Sequence, residues 1–174
     1  MARPKKALMI VDLLNDFVND DSPMAVPGIR EIIDPIKEQM EKARKQSYPI
    51  IYLCDCHEKD DREFRLFPPH AVKGSRGANI IEELRPEGTD ILVRKSSFSG
   101  FWGTLLEEIL KKLSVTWLMF TGTITNISVQ YTAVEAVMRG YEVDIIEKAV
   151  RGLDERDHRA AMDHMRNIFG INIV

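Results

Sequence analysis

Short apolar runs rich in β-branched residues alternate with helical segments along the whole chain, and this alternation restricts the fold more than any other feature. Each run is short enough to form a strand. The runs cover residues 7–11, 49–53, 90–93, 115–120, 143–146 and 171–174. Uniformly apolar strands separated by helices are typical of a parallel sheet buried on both faces. The pattern predicts a single-domain α/β fold over residues 1–174, a three-layer αβα sandwich with a mainly parallel, Rossmann-like sheet of about six strands.

Helical spacing predicts five helices between these strands. They cover residues 29–46, 79–84, 102–113, 126–139 and 155–169. Pro35 interrupts the first helix and can kink it, and Gly140 is expected to cap the fourth. His158 and His164, on the last helix, are expected at the surface.

The composition excludes several classes of function. Hydrophobic residues make up 44% of the chain, charged residues 29%, and the net charge is -3, which is typical of a soluble globular protein and argues against a nucleic-acid partner. We interpret the basic cluster from Arg3 to Lys6 as a solvated end. No apolar stretch approaches the roughly 20 residues that span a membrane, and Cys54 and Cys56 are typical of a reducing compartment. A cytoplasmic location is predicted, with no membrane partner.

Reactive side chains follow four of the predicted strands. Asp12 ends the first strand, Asp55 and His57 follow the second, Lys95 follows the third, and Ser128 follows the fourth. Ligands bind beyond the carboxyl ends of parallel strands, so these side chains are predicted to converge. There a carboxylate can move a proton while an ammonium holds the carboxylate in place, which favours hydrolysis through a nucleophile without a histidine base. Each residue, taken singly, also fits an ordinary turn, cap or solvated role.

The irregular stretch 55–78 is long enough to indicate a functional loop. It contains Asp55, His57, Glu63 and His70. Carboxylate and imidazole ligands can hold a divalent metal such as zinc, manganese or iron and leave positions open for substrate. Asp-x-His pairs are also common without a metal, so the spacing alone leaves both interpretations open.

Ser128 lies where an apolar strand breaks at Gly122 and a helical pattern begins near Asn126. A strand–turn–helix segment lifts a side chain out of the sheet towards the free N–H groups of the helix start, which favours developing negative charge. This arrangement suits acyl transfer. An ordinary serine or asparagine cap also explains the segment.

Together these segments resemble the nicotinamidase and pyrazinamidase branch of the isochorismatase-like cysteine hydrolases, nearly from end to end. The similar segments are residues 7–18, 55–74, 95–104 and 121–133. They match the family's first strand, its metal loop, its catalytic lysine with the following aromatic segment, and its nucleophile turn. The metal loop is the most specific of these motifs.

The resemblance implies roles for individual residues. Asp12, Lys95 and Ser128 would be catalytic, and the oxyanion hole would be formed by the N–H groups of Ile124 and Ser128, after a cis peptide bond between Thr123 and Ile124. The implied substrate contacts are Phe17, Phe67, Phe101 and Asn126. The implied ligands of a divalent metal, zinc first with manganese or iron as alternatives, are Asp55, His57, Glu63 and His70.

The resemblance also implies a reaction. A metal-dependent amidase of this kind hydrolyses nicotinamide to nicotinate and ammonia through a cysteine acyl-enzyme, a step in pyridine nucleotide salvage and NAD metabolism. The partner would be a small-molecule amide. Apolar residues on the helix after Ser128 fit a core better than a subunit contact, and a homo-oligomer stays open.

Ser128 departs from the family pattern, which has cysteine at this position. Either the serine replaces a natural cysteine by engineering, or the gene encodes it, and the intact Asp12, Lys95 and metal loop favour the first explanation. A hydroxyl is essentially never ionised near neutral pH without a strong base, so the chain with serine is predicted to be nearly inactive. The alternatives are another hydrolase of this fold, acting on an N-carbamoyl or ureido compound or on isochorismate, and a non-catalytic protein that binds a pyridine carboxamide.

Overall fold

The computed structural model describes residues 5–174 and contains one six-stranded sheet in which all neighbouring strands are parallel. The strands are β1 (Lys6–Val11), β2 (Ile50–Asp55), β3 (Ile91–Lys95), β4 (Trp117–Thr123), β5 (Glu142–Arg151) and β6 (Asn172–Ile173). Their order is β3-β2-β1-β4-β5-β6. The predicted α/β class is confirmed, and this order places the topological switch point, where ligands bind in such sheets, between β1 and β4.

Five α-helices connect the strands. They are α1 (Asn15–Val18), α2 (Ile33–Lys45), α3 (Leu106–Lys112), α4 (Gln130–Met138) and α5 (Glu155–Phe169). Short 3₁₀ turns cover Ile29–Ile32, Arg62–Arg65 and Glu82–Leu84, and a π-helical turn covers Thr125–Val129. The chain enters α5 at Asp154, whose carboxylate accepts hydrogen bonds from two backbone N–H groups, and Gly170 ends this helix in the left-handed conformation.

Three predictions about helices need correction. The helix predicted over 79–84 is wrong, because only its last three residues form a 3₁₀ turn. The helix predicted from residue 102 begins at Leu106. Pro35 lies in the first turn of α2, where a helix has no backbone hydrogen bond to lose, so it does not interrupt the helix.

Helices cover both faces of the sheet, which gives the predicted three layers. In β1, Leu8 and Ile10 pack into the core cluster that includes α2, whereas Ala7, Met9 and Val11 pack into the cluster that includes α3, α4 and α5. These five side chains are at most 1% exposed. Alternation along a strand therefore explains why the run is apolar at every position.

Further predictions concern the N-terminal basic cluster, the two cysteines and membrane-spanning segments. Arg3, in the N-terminal basic cluster, lies outside the described residues, whereas Lys6 belongs to β1 and pairs with Asp144 at 3.6 Å. Cys54 is a buried free thiol and Cys56 a half-buried one. Within residues 5–174, the helices are too short or too polar to cross a membrane.

Candidate active site

Four predicted site residues stand at the carboxyl ends of neighbouring strands. Asp12 directly follows β1, Asp55 and Lys95 are the last residues of β2 and β3, and Ser128 lies in the π-helical turn after β4. All four are buried. Since parallel strands present these ends at one edge of the sheet, the four side chains meet there.

Lys95 is the centre of this cluster. Its Nζ lies 2.8 Å from Asp12 Oδ2 and 2.5 Å from Asp55 Oδ1, and it donates a hydrogen bond to Ser128 Oγ at 3.0 Å. Burial alone would lower the pKa of Lys95, but the two carboxylates outweigh burial and hold that pKa above its ordinary value. Lys95 therefore stays an ammonium and cannot serve as the base.

Asp12 has the features of a proton acceptor. Its φ of 51° is rare for a residue with a side chain, and such conformations cluster at functional sites. Oδ1 accepts the N–H of Asp55 at 2.7 Å. Oδ2 lies close to the Lys95 ammonium but has no aligned hydrogen-bond donor among the described residues. Burial, and then the charge of Asp55, raise the pKa of Asp12 to about 6, which suits a group that takes and returns a proton near neutral pH.

Gly122 and a cis peptide bond shape the turn that carries Ser128. Gly122 has a φ of 110°, and a Cβ there would lie 2.0 Å from the carbonyl oxygen of Val11. Only glycine therefore lets the turn approach β1 this closely. The Thr123–Ile124 peptide bond is cis, as predicted. Within residues 5–174 the N–H of Ile124 donates to no backbone carbonyl, which leaves it free to bind an oxygen atom of a ligand.

Asp55, His57 and His70 form a second buried cluster beside Lys95. One potential ligand atom from each residue lies within 4.8 Å of the others. Asp55 Oδ2 is 3.8 Å from His57 Nε2 and 3.9 Å from His70 Nε2. Because the other oxygen of Asp55 pairs with Lys95, this one carboxylate joins the two clusters.

Outer contacts direct both Nε2 atoms into the second cluster. His57 Nδ1 bonds to Asp61 Oδ2 at 3.1 Å, and His70 Nδ1 bonds to the carbonyl oxygen of Pro68 at 2.8 Å. Partners of this kind fix the tautomer and the orientation of imidazoles that bind metals. His57 Nε2 is buried and has no hydrogen-bond partner among the described residues. Two imidazole nitrogens and a carboxylate oxygen are a donor set that fits zinc or a similar divalent ion.

The electrostatics of this cluster also suit a cation. Burial would lower the pKa of His57, yet Asp55 and Asp61 raise it to about 9. Glu63 lies at the edge of the cluster, with Oε1 3.6 Å from His70 Nε2. Burial, and then the charge of Asp55, raise the pKa of Glu63. The carboxylates thus make this a place where added positive charge is stabilised.

Aromatic rings surround His70. The ring centroids of Phe17, Phe64 and Phe67 lie 5.4, 5.7 and 6.5 Å from that of His70. Phe17 and Phe67 thus lie at the predicted metal cluster, whereas sequence reasoning missed Phe64 and Phe98, the latter 6.3 Å from Phe67. Phe98 lies only three residues after Lys95, and this proximity was the available signal.

A cavity of about 460 Å³ opens beside the two clusters. Its walls are Asp61, Arg62, Glu63, Arg65, Leu66, Ser96, Ser97 and Phe98. The wall touches the cluster around Lys95, because the carbonyl oxygen of Ser97 accepts a hydrogen bond from Lys95 Nζ at 3.3 Å. A cavity of this size accommodates a small molecule.

Two predicted substrate contacts lie elsewhere. Phe101 belongs to the core cluster on the α3–α5 side of the sheet, where its ring stacks on Tyr141 at 6.2 Å. Asn126 lies near Gly152 and borders a groove beside α5. The structure therefore does not bring Phe101 or Asn126 to the cavity, and Phe98 is the aromatic residue of this segment that lines it.

His158 contacts the turn that carries Ser128, so the prediction that it is a surface residue is wrong. It is half-buried, and its Nδ1 bonds to Thr125 Oγ1 at 2.9 Å. Thr125 is fully buried and lies three residues before Ser128. His164 is exposed, as predicted.

The doubly wound sheet and the contact between an acid, a lysine and a hydroxyl on a nucleophile turn define the class as a hydrolase of the open α/β type. The sequence matches the isochorismatase domain over residues 6–173. The chain therefore belongs to the isochorismatase family, as the resemblance implied.

Solved relatives share the fold over nearly the full length of the chain. Nicotinamidase PncA from Bacillus subtilis is 30% identical, with a TM-score of 0.91 over 98% of this chain and 99% of that one. Pyrazinamidase of Pyrococcus horikoshii in complex with zinc is 29% identical, with a TM-score of 0.92 and the same coverage. N-carbamoylsarcosine amidase from Thermoplasma acidophilum is 30% identical, with a TM-score of 0.89 over 97% and 95%.

One curated relative carries a different functional description. The probable inactive nicotinamidase At3g16190 of Arabidopsis thaliana is 28% identical over 93% of this chain and 88% of its own length. Overall similarity thus joins this chain to proteins with different substrates, and to one described as inactive. The residues of the site must decide among these functions.

Proposed function

We propose that this protein has the site of a metal-dependent nicotinamidase, which converts nicotinamide to nicotinate and ammonia when residue 128 is a cysteine. The observation that carries the proposal is the position of Asp55. One of its oxygens pairs with Lys95, which contacts Asp12 and Ser128, and its other oxygen faces the imidazoles of His57 and His70. A substrate held by the second cluster would therefore present a carboxamide to the first.

In the proposed reaction, Asp12 takes the proton of the nucleophile at residue 128, which attacks the carboxamide carbon. Lys95 holds Asp12 in place and favours ionisation of a thiol. The N–H groups of Ile124 and residue 128 stabilise the negative oxygen that forms. Collapse of this intermediate breaks the carbon–nitrogen bond, and Asp12 returns the proton to the leaving ammonia. Water, deprotonated by Asp12, then hydrolyses the acyl-enzyme to nicotinate.

Asp55, His57 and His70 would hold the metal, with Glu63 as a further ligand at the edge, directly or through water. Zinc is our first choice, and manganese or iron would also accept this donor set. A bound divalent ion supplies a Lewis acid that can accept the ring nitrogen of a pyridine carboxamide. Phe17, Phe67 and Phe98 would orient a flat ring, because aromatic side chains pack well against one another and against planar ligands.

The serine at position 128 has two explanations, and each gives the protein a different function. If it replaces a natural cysteine, the parent protein is the active enzyme and this chain binds substrate with little turnover. If it is natural, the protein is a non-catalytic binder of a pyridine carboxamide. The nearly complete site favours the first state, since a protein that only binds has no chemical need for the buried pair of Asp12 and Lys95.

The test is ammonia release from nicotinamide by the zinc-loaded Ser128→Cys variant. We expect turnover with Ser128→Cys and nearly none with Ser128. Adding Asp12→Asn to Ser128→Cys should reduce kcat by about 10²–10⁴-fold, the usual contribution of a general base. A zinc-loaded, folded Ser128→Cys variant that does not hydrolyse nicotinamide would contradict the proposal.

Two further substrates separate the alternatives. Benzamide has the carboxamide without the ring nitrogen and should be hydrolysed much more slowly than nicotinamide by Ser128→Cys. N-carbamoylsarcosine tests the ureido alternative. We choose this compound because one solved relative, 30% identical to this chain, is an N-carbamoylsarcosine amidase. Preference for N-carbamoylsarcosine, with equal rates on benzamide and nicotinamide, would assign the protein to that second class.

A further inference from the structure

We propose that Asp16 is a positioning residue that sets the spacing of the two metal-binding imidazoles by clamping the chain after His70. This inference rests on the metal site of the proposed function. Asp16 lies in α1, directly before Phe17 and four residues after Asp12. It belongs neither to the cluster around Lys95 nor to the proposed metal ligands, so its contacts need another explanation.

The first contact fixes the residue that follows His70. Asp16 Oδ2 accepts a hydrogen bond from the N–H of Ala71 at 2.8 Å. Ala71 is fully buried and has a φ of 45°. This left-handed conformation costs a non-glycine residue on the order of 1–3 kcal/mol and persists only where its surroundings impose it. The Asp16 carboxylate is part of those surroundings.

The second contact connects Ala71 to the other imidazole. The carbonyl oxygen of Ala71 accepts from the N–H of His57 at 3.0 Å, and the N–H of Lys73 donates to the carbonyl of His57 at 2.8 Å. Ala71 is therefore held by Asp16 on its N–H side and by His57 on its carbonyl side. Since His70 immediately precedes Ala71, this chain of bonds sets the distance between the backbones of the two histidines.

Gly77 holds Asp16 in the position that this role requires. The N–H of Asp16 donates to the carbonyl of Gly77 at 3.1 Å. A Cβ on Gly77 would lie 2.0 Å from Asp16 Oδ2 and within 2.3 Å of the other carboxyl atoms. Glycine is thus required at 77 so that the carboxylate can lie against the loop and reach Ala71. An alanine at 77 would displace the same carboxylate without removing it.

The experiment compares Asp16→Ala, Asp16→Asn and Asp21→Ala. Asp21 is exposed on the loop after α1 and serves as a control with the same change of charge. Zn²⁺ affinity is measured by competition with a chromogenic chelator, and metal-free stability by urea unfolding. We expect Asp16→Ala to weaken Zn²⁺ binding by about 10–100-fold, the usual effect of losing a hydrogen bond that helps to orient a metal ligand. Asp16→Asn keeps an oxygen acceptor for the Ala71 N–H and should retain most of the affinity, and Asp21→Ala should retain all of it.

A second variant reaches the same carboxylate from the other side. Gly77→Ala should weaken Zn²⁺ binding as Asp16→Ala does, and the double variant should be little worse than either single one, because both act through one contact. Gly77→Ala also tests the clamp if Asp16→Ala does not fold.

Several outcomes would overturn the inference. Unchanged Zn²⁺ affinity in Asp16→Ala and Gly77→Ala would do so, as would a loss of stability without a loss of affinity. Equal losses in Asp16→Asn and Asp16→Ala would show that charge, and not the hydrogen bond to Ala71, matters. If the unaltered protein binds no Zn²⁺, the proposed metal site fails and the clamp fails with it. The two failures are distinguishable. If only the clamp fails, the unaltered protein binds Zn²⁺ and Asp16→Ala binds it equally well.

Discussion

The two halves of the candidate site are built from different parts of the fold. Asp12 and Lys95 stand at or just after the ends of strands, so the ladder of the sheet fixes their backbones, and Ser128 lies in the π-helical turn that follows β4. His57 and His70 lie in the irregular segment 56–78, which a few loop hydrogen bonds hold against the sheet. We call the first the strand half and the second the loop half.

The two halves also balance their charges differently. In the strand half the Lys95 ammonium lies between two carboxylates, so buried charges of both signs compensate each other. In the loop half the carboxylates of Asp55, Glu63 and Asp61 surround two imidazoles, and positive charge on an imidazole or on a bound metal would balance them. We therefore expect changes in the strand half to alter the global free energy of unfolding, and changes in the loop half to alter metal affinity and local order.

The largest expected effect comes from removing the central charge of the strand half. Lys95→Met leaves Asp12 and Asp55 as unpaired buried carboxylates, and breaking a buried ion pair in this way costs about 3–5 kcal/mol. Urea unfolding at pH 7 measures the loss. The loss should shrink towards pH 4, because protonated carboxylates no longer need a counter-charge. Lys111→Met, which removes an exposed lysine paired with Glu107, is the control and should change stability by less than about 0.5 kcal/mol. Similar curves for both variants would show that the strand half is not held by charge.

A smaller effect is expected when zinc is removed from the loop half. A ligand that binds only the folded state at 100 times its Kd stabilises that state by about 2.7 kcal/mol. EDTA should abolish this gain in a thermal or urea titration. Amide hydrogen exchange should show that zinc slows the local opening of residues 56–78, whereas β1 and β4 open only by global unfolding and stay strongly protected with and without zinc.

His57→Gln provides the control for that experiment. It removes one of the proposed ligands, so zinc should no longer stabilise the protein, and EDTA should have no effect. Local opening of β1 and β4 in the zinc-free protein, at rates like those of residues 56–78, would contradict the division into a strand half and a loop half.

The same division explains how much of the fold could be predicted. The strands β1, β2 and β4 were readable because burial on both faces makes them almost entirely apolar. The segment 79–84 misled the prediction because Ile81 and Leu84 have helical spacing and are indeed buried, at 2% and 1% exposure. Ile80 pairs with Leu14 in an isolated bridge, so these residues fill the core from a loop. The spacing of apolar residues indicates which side chains are buried, and in this segment the buried side chains belong to a loop and not to an α-helix.

The strand half could be located from topology, and the contacts of the loop half could not. Placing Asp12, Lys95 and Ser128 together requires only the rule that parallel strands end at one edge. Choosing between Phe98 and Phe101 requires the path of the turns after Lys95, which periodicity does not specify. The contacts made by Asp16 and His158 depend on how α1 and α5 pack against distant loops, and a single sequence contains no signal for such packing.

The smallest expected effect concerns His158, which supports the strand half from α5. Burial lowers the pKa of His158 from 6.5, and the charged groups that face it are Glu155, Arg151, Glu147 and Arg159. As the pH falls below 6.5, the histidine of the unfolded chain gains a proton before that of the folded chain. The unfolded state is then favoured, so the stability that neutral His158 gives above pH 6.5 is lost as the pH falls.

The wild type should therefore lose more unfolding free energy on acidification than His158→Gln, whose side chain does not titrate. Urea unfolding between about pH 5 and 8, the range in which histidine changes charge, measures the difference. His164→Gln, exposed on the same helix, is the matched control for replacing a histidine. Parallel curves for the wild type and His158→Gln would show that the hydrogen bond to Thr125 tolerates protonation. The contact between His158 and the turn that carries Ser128 would then be insensitive to pH, and the carboxylates of Asp12 and Asp55 would determine the response of the strand half to acid.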